Sequence, residues 1–269
     1  MNLVNGIEGV LIDPADRGLA YGDGVFRTLR LRNGKALLWP RQYAKLAADC
    51  FALDITCPAI AALEYDIEKI TAVHTDGVVR ITLTRGVAPR GYAIPGVANT
   101  TRIVGWSGEP PVRSDAHGIR ARWCNLRLSR QPALAGIKHL NRLENVIARS
   151  EWNDSAIAEG LLLDSEGLVI GGTMSNLILM RAGELVTPAL DACGVAGITR
   201  ELIVERARCE NMPVRIAPVA MGDVLSADAV FLLNSVIGIR QIATLDDLNW
   251  KMHPVADQLR GWINYAENL

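Results

Sequence analysis

Alternating strand patterns recur along the whole chain, and helical spacing is interleaved with them on both sides of a single proline break. That interleaving predicts two α/β (or α+β) domains. Val25 to Arg32 places Val25, Leu29 and Leu31 on one side and Thr28, Arg30 and Arg32 on the other, the pattern of a half-buried strand. Val79, Ile81 and Leu83 alternate with Arg80, Thr82 and Thr84 in the same way. Asn-Gly pairs at 5–6 and 33–34, each between extended runs, predict two tight hairpins. Pro40 opens a helical segment through Tyr43, Leu46, Ala47, Cys50 and Phe51. Gly108-Glu109-Pro110-Pro111 carries two prolines that no regular element would hold. We therefore expect a smaller domain over 1–108, a linker at 109–114 and a larger domain over 115–269, the larger one carrying Lys138. Within the larger domain, 119–128 reads as a strand, 141–152 as a helix, and 161–163, 168–170, 177–180 and 185–187 as short strands. A helix over 197–209 and an apolar strand over 229–233 follow. No internal repeat or low-complexity segment interrupts this order. A cleft between two such domains is the default place for a site.

Charge narrows the function. The 269 residues hold 28 basic and 29 acidic side chains, a net charge of −1, which gives no reason to expect a nucleic acid or a membrane as partner. No apolar run of about 18 residues is present, so no spanning helix is expected. Met1 to Asp13 lacks a basic stretch followed by a long apolar one, so no secretory leader is expected. Five cysteines (Cys50, Cys57, Cys124, Cys193 and Cys209) form no CxxC pair and read as reduced thiols of a cytoplasmic protein. The four histidines lack metal-ligand spacing, so no metal is expected, and no GxSxG or phosphate-loop pattern occurs.

Only Lys35, Lys45, Lys69, Lys138 and Lys251 among the 28 basic residues are lysines. Lys138 follows the small apolar run Leu134-Ala135-Gly136-Ile137. A desolvated lysine loses its proton more readily, and the neutral amine attacks carbonyls. The alternative is a surface lysine that snorkels. Gly194-Val195-Ala196-Gly197-Ile198-Thr199-Arg200 places glycines before a helix start, where free N–H groups favour an anion and Thr199 adds a hydroxyl. An ordinary loop entering a helix reads the same way. Leu233-Asn234-Ser235 ends a strand with similar donors. Arg85, Arg90, Arg127 and Arg130 flank strand ends, where arginine binds carboxylates in bidentate fashion or simply faces solvent.

Five segments in order carry a resemblance. They are Asp16-Arg17-Gly18-Leu19-Ala20-Tyr21-Gly22-Asp23-Gly24, Arg90-Gly91-Tyr92, Ala135-Gly136-Ile137-Lys138-His139-Leu140-Asn141-Arg142-Leu143-Glu144, Ser175-Asn176-Leu177, and the run Gly194 to Arg200. Together they resemble the class IV pyridoxal-phosphate enzymes, over essentially the whole length. The resemblance implies the two-domain fold of the D-amino acid and branched-chain aminotransferases, with pyridoxal 5'-phosphate at the domain interface, and a homodimer. The Lys138 segment is similar to the lyase members, which turn 4-amino-4-deoxychorismate into 4-aminobenzoate and pyruvate on the way to folate. By this resemblance Lys138 holds the cofactor covalently and moves the proton. Ile198 and Thr199 cradle its phosphate, Ser235 adds a contact, and Thr28 assists elimination. A substrate with two carboxylates implies arginines, for which Arg90 and Arg130 are the candidates.

Two positions depart from the family. A glutamate normally stands five residues before the asparagine of the Ser-Asn pair, beside the pyridine nitrogen; here that position is Gly171. Lys45 stands where an arginine normally grips the phosphate, keeping the charge but losing the fork. A carboxylate at the ring nitrogen holds it protonated, so that the ring can take up negative charge. Transamination needs that sink in both half-reactions, whereas the lyase reaction ends in an aromatic ring that supplies driving force. Gly171 therefore disfavours a branched-chain or D-amino acid aminotransferase more than a lyase, and leaves a catalytically impaired cofactor-binding protein as a third reading.

Overall fold

Two Asn-Gly turns organise the start of the chain. Asn5 and Gly6 have φ of 50° and 83°, and Asn33 and Gly34 have 50° and 72°, the backbone whose twist matches a hairpin. In the computed structural model, which describes residues 1–96, 99–109 and 117–267, the first turn joins β1 (Asn2–Val4) to β2 (Ile7–Glu8). A short helix, α1 (Arg17–Tyr21), precedes β3 (Gly24–Arg32), and the second turn leads into β4 (Lys35–Ala36). Then come α2 (Trp39–Ala52), α3 (Ile60–Thr71), β5 (Gly77–Thr84) and β6 (Thr101–Ser107). The strands form one antiparallel sheet in the order β2-β1-β6-β5-β3-β4.

The alternation read from the sequence sets which face is buried. Val25, Leu29 and Leu31 of β3, Val79, Ile81 and Leu83 of β5, and Val104 of β6 pack against Leu46 and Cys50 of α2 and Leu63, Ile67 and Ile70 of α3. Each such side chain contributes about 1.5–3 kcal/mol by leaving water. The face of α2 that points inward is Gln42, Leu46, Asp49 and Cys50, at helical spacing. Arg27 shares the parity of Val25 and Leu29, so a charge lies on the core side of β3.

Contacts divide the chain into two units, one of Met1–Pro111 with Ile137–Asn141, the other of Val112–Gly136 with Arg142–Leu269. The Lys138 segment thus belongs with the first unit, not with the larger C-terminal one in which the sequence placed it. It lies as an extra antiparallel stretch beside β3: Phe26 N–H donates to the Lys138 carbonyl (2.9 Å), Leu140 N–H to the Gly24 carbonyl (2.9 Å), and Val25 faces His139. This extended conformation explains why the helix expected over 141–152 is only α4 (Leu143–Arg149). Residues 110–114 of the expected linker lie outside the described residues.

The second unit is built on β7 (Ile119–Leu128), β8 (Ile157–Asp164), β9 (Val169–Gly172), β10 (Asn176–Arg181) and β11 (Glu184–Pro188), followed by α5 (Ile198–Cys209) and β12 (Val214–Ala217). α6 (Met221–Leu225), β13 (Ala229–Asn234), β14 (Gly238–Leu245), β15 (Leu248–Asn249) and α7 (Val255–Glu267) complete it. The mixed sheet runs β12-β11-β10-β13-β14-β7-β8-β9, with β15 on β14. β13 is apolar from Ala229 to Leu233 because both its faces are buried. Val230 and Leu232 join a core with Leu161, Leu177 and Ile242, while α5 and α7 lie along the other side. The sequence reading did not identify α1, α3, β6, β12, α6, β14, β15 or α7.

Candidate active site

Lys138 is held by both of its backbone groups. Its carbonyl accepts from Phe26, and its N–H donates to Asp49 Oδ2 at 3.2 Å. Three residues further on, Asn141 Nδ2 donates to the Gly22 carbonyl at 3.2 Å. Gly22 has φ of 66°, and a side chain there would run into Asn141, so the glycine is required twice over. The Lys138 amine lies over the Phe26 ring, 4.4 Å from its centroid. Thr28 follows on the same face of β3, half-buried, opposite Arg80 in the register with β5. Arg80 also lies over the Phe26 ring, at 4.1 Å.

Asp49 collects two cations as well as that N–H. Arg27 donates to Oδ2, and Lys45, one turn earlier on α2, sits 2.5 Å from Oδ1. Asp49 is 1% exposed and Arg27 3%. The ammonium of Lys45, expected at a phosphate, pairs with a carboxylate of its own helix.

The glycine-rich turn around Asp23 is a structural brace. Asp23 Oδ2 accepts from Arg17 Nε and Arg85 Nε, each at 2.8 Å. Burial alone would push its pKa up, but the bonds and charges of Arg85 and Arg17 outweigh this and hold the carboxyl below the usual aspartate range. Arg85 also caps the carbonyls of Leu53 and Asp54, and Arg17 reaches the Gly91 carbonyl at 2.8 Å.

In the second unit, Ile198 and Thr199 open α5, and Thr199 Oγ1 stands 3.5 Å from Ser235 Oγ. The N-cap is Gly197, with no side chain to cap the helix. Asn176 holds the approach by accepting from Gly197 N–H (3.1 Å) and donating to the Val195 carbonyl (2.7 Å). Two hydroxyls beside the start of a three-turn helix suit a phosphate. Ser235 is set by Asn234, whose side chain accepts from Val236 and Ile237.

Gly171 is buried on β9, and a Cβ added there would stand 2.7 Å from the Ser175 carbonyl. The backbone has closed over the position where a side chain would begin. A buried carboxylate that sequence reasoning missed is Glu159, 4% exposed on β8. It accepts from Gly160 N–H, from the N–H and hydroxyl of Thr173, and from Ser175 Oγ at 2.9 Å. Glu159 thus shapes the turn before Asn176, and its signal in the sequence was an acid inside a run of strand residues. Of the proposed substrate arginines, Arg130 is paired with Asp164 and Glu166, each at 2.9 Å. Arg90 is exposed, next to the loop where Gly91 accepts from Arg17.

The profile of the amino-transferase class IV family matches residues 24–245, and the chain belongs to that family. It is similar to aminodeoxychorismate lyase of Vibrio harveyi, 28% identical over 267 residues, covering 97% of this chain and 98% of the relative. D-alanine aminotransferase of Listeria monocytogenes is 29% identical over 258 residues, covering 94% and 87%. Among solved structures, 4-amino-4-deoxychorismate lyase from Pseudomonas aeruginosa superposes with a TM-score of 0.93 at 42% identity, covering 98% of each chain.

Proposed function

We propose that this chain is a pyridoxal-phosphate-dependent lyase that converts 4-amino-4-deoxychorismate into 4-aminobenzoate and pyruvate. The observation that carries the reading is the 42% identity, across 98% of both chains, to a structure of that name, with Lys138 pinned by both backbone groups. Each unit by itself carries residues that suit a part of pyridoxal phosphate. Lys138 supplies the amine that holds it, and Ile198, Thr199 and Ser235 supply a helix start and two hydroxyls for its phosphate. They do not supply a carboxylate at position 171. When bound, the cofactor serves as the electron sink for the carbon that loses its proton.

The chain's own residues account for the proton movements. The Lys138 amine, once released by the substrate amine, removes the proton from the amine-bearing ring carbon. The enolpyruvyl group leaves from the adjacent carbon and takes a proton from Lys138 or from the Thr28 hydroxyl, giving pyruvate. The ring becomes aromatic, and no external oxidant or reductant is consumed. Phe26 keeps the amine of Lys138 against an apolar face between transfers. Arg80, on the same ring, is the arginine best set to meet a substrate carboxylate, with Arg90 as a second.

The protein acts as a cytoplasmic homodimer. Ile7, Val10, Leu11, Ile12 and Leu19 are exposed apolar residues of the first unit, an unusual density for a monomer surface. Among the described residues no helix is long and apolar enough to cross a membrane.

The test is 4-aminobenzoate formation by wild type and by Lys138→Ala. The variant is expected to lose turnover by more than about a thousandfold. Near-wild-type turnover in the variant, or sustained conversion of amino donors and keto acids faster than 4-aminobenzoate formation, overturns the assignment.

A further inference from the structure

We propose that Asp49, clamped between Arg27 and Lys45, is the positioning residue for Lys138, and that Lys45 acts through Asp49 rather than as a grip on the cofactor phosphate. The inference rests on Lys138 being the cofactor lysine. Lys138 has two backbone groups, and each has one partner that fixes it. The carbonyl is taken by a strand bond from Phe26, which any residue at 138 would make. The N–H is taken by a side chain, Asp49 Oδ2, from a different element. Asp49 therefore sets how the strand stretch is seated on α2, and so where the amine emerges over the Phe26 ring.

The surroundings of Asp49 explain how it stays in place. Arg27 bonds to the same oxygen that takes the Lys138 N–H, and Lys45 takes the other oxygen. Both oxygens are thus directed, one across to β3 and one along α2. Arg27 lies between Phe26 and Thr28 in β3, so one strand presents Arg27 to Asp49 on one face and Phe26 to the Lys138 amine on the other. An apolar residue at 27 would pack beside Val25 and Leu29 at no desolvation cost. A buried, charged clamp in that position gives orientation that an apolar core does not.

The experiment compares wild type with Asp49→Ala, Asp49→Asn and Lys45→Gln. Each protein is stripped of cofactor and mixed with pyridoxal 5'-phosphate or with pyridoxal, which lacks the phosphate. Capture by Lys138 is followed by stopped-flow absorbance and confirmed by borohydride reduction and peptide mapping. Steady-state kcat and KM are measured on the reloaded enzymes. Asp49→Ala is expected to slow capture and lower kcat by about 10- to 100-fold with KM within about twofold, the signature of a misplaced reacting group. Lys45→Gln is expected to lower both rates in the same direction and to weaken the two cofactor forms equally. Asp49→Asn, which keeps an acceptor for the Lys138 N–H, is expected to fall between wild type and Asp49→Ala. Loss of affinity for pyridoxal 5'-phosphate but not for pyridoxal in Lys45→Gln would make Lys45 a phosphate grip and overturn the proposal. Unchanged capture and kcat in Asp49→Asn and Asp49→Ala would overturn it as well. If Asp49→Ala fails to fold, Lys45→Gln and Asp49→Asn decide. Wild type that shows no label at Lys138 fails the lyase reading instead, a separate result.

Discussion

Residues that read alike in the sequence do different work here. Arg80 lies within β5 and Arg130 just beyond β7, but Arg130 is spent on Asp164 and Glu166, whereas Arg80 stacks on the ring that also carries the Lys138 amine. Replacing Arg80 by Gln is expected to raise the KM for 4-amino-4-deoxychorismate by about tenfold, the loss of a charged contact. Replacing Arg130 by Gln is expected to leave KM unchanged and to cost about 1 kcal/mol or less, since the pair is part-exposed. Initial rates over a substrate series, with a urea melt for each variant, check both. An unchanged KM in Arg80→Gln would remove it from the substrate site. Arg27 shows the limit of sequence reading at this scale. Alternation puts it on the core side, but only its neighbour on another element, Asp49, explains why a charge is tolerated there.

At the scale of elements, the turn between α1 and β3 links acidity to the stability of the first unit. Asp23 is held below the ordinary aspartate range in the folded chain, so its two guanidinium bonds stabilise the fold above the unfolded aspartate value. That stability is lost as pH falls from the ordinary aspartate value through the lowered folded one. Asp23→Asn is expected to be less stable than wild type at pH 7, with a smaller difference between pH 7 and pH 3. Urea midpoints at the two pH values measure this, and a wild-type-like difference in the variant would sink it. Most elements were legible, because β3 and β5 alternate cleanly and the Asn-Gly turns admit few backbones. The helix over 141–152 came out short for a reason no local pattern carries: Leu140 and Lys138 are bonded to β3, more than a hundred residues earlier.

For the whole molecule, the exposed apolar segment 7–12, with Leu11 at 89% exposure, is the feature on which the proposed dimer rests. Light scattering behind a sizing column is expected to give twice the 29.2 kDa chain mass at micromolar concentration. Leu11→Glu is expected to shift the protein toward monomer, because a charge desolvated in an apolar contact costs several kcal/mol. A monomeric wild type would refute the dimer.

The sequence by itself determined the kind of architecture and the family, and singled out Lys138 as the candidate lysine, because hydrophobic period, turn chemistry and the order of short motifs are local properties. It also marked Gly171 and Lys45 as departures. What surrounds those two positions was decided in three dimensions. At 171 the Ser175 carbonyl has closed on the space where a side chain would start, and the acid on the neighbouring strand, Glu159, is bonded to the turn. At 45 the ammonium has found Asp49, which in turn holds the Lys138 backbone. A hydrogen bond is directional and short in range, so which of several charges meets a given N–H depends on how distant segments pack. No spacing along the chain records that.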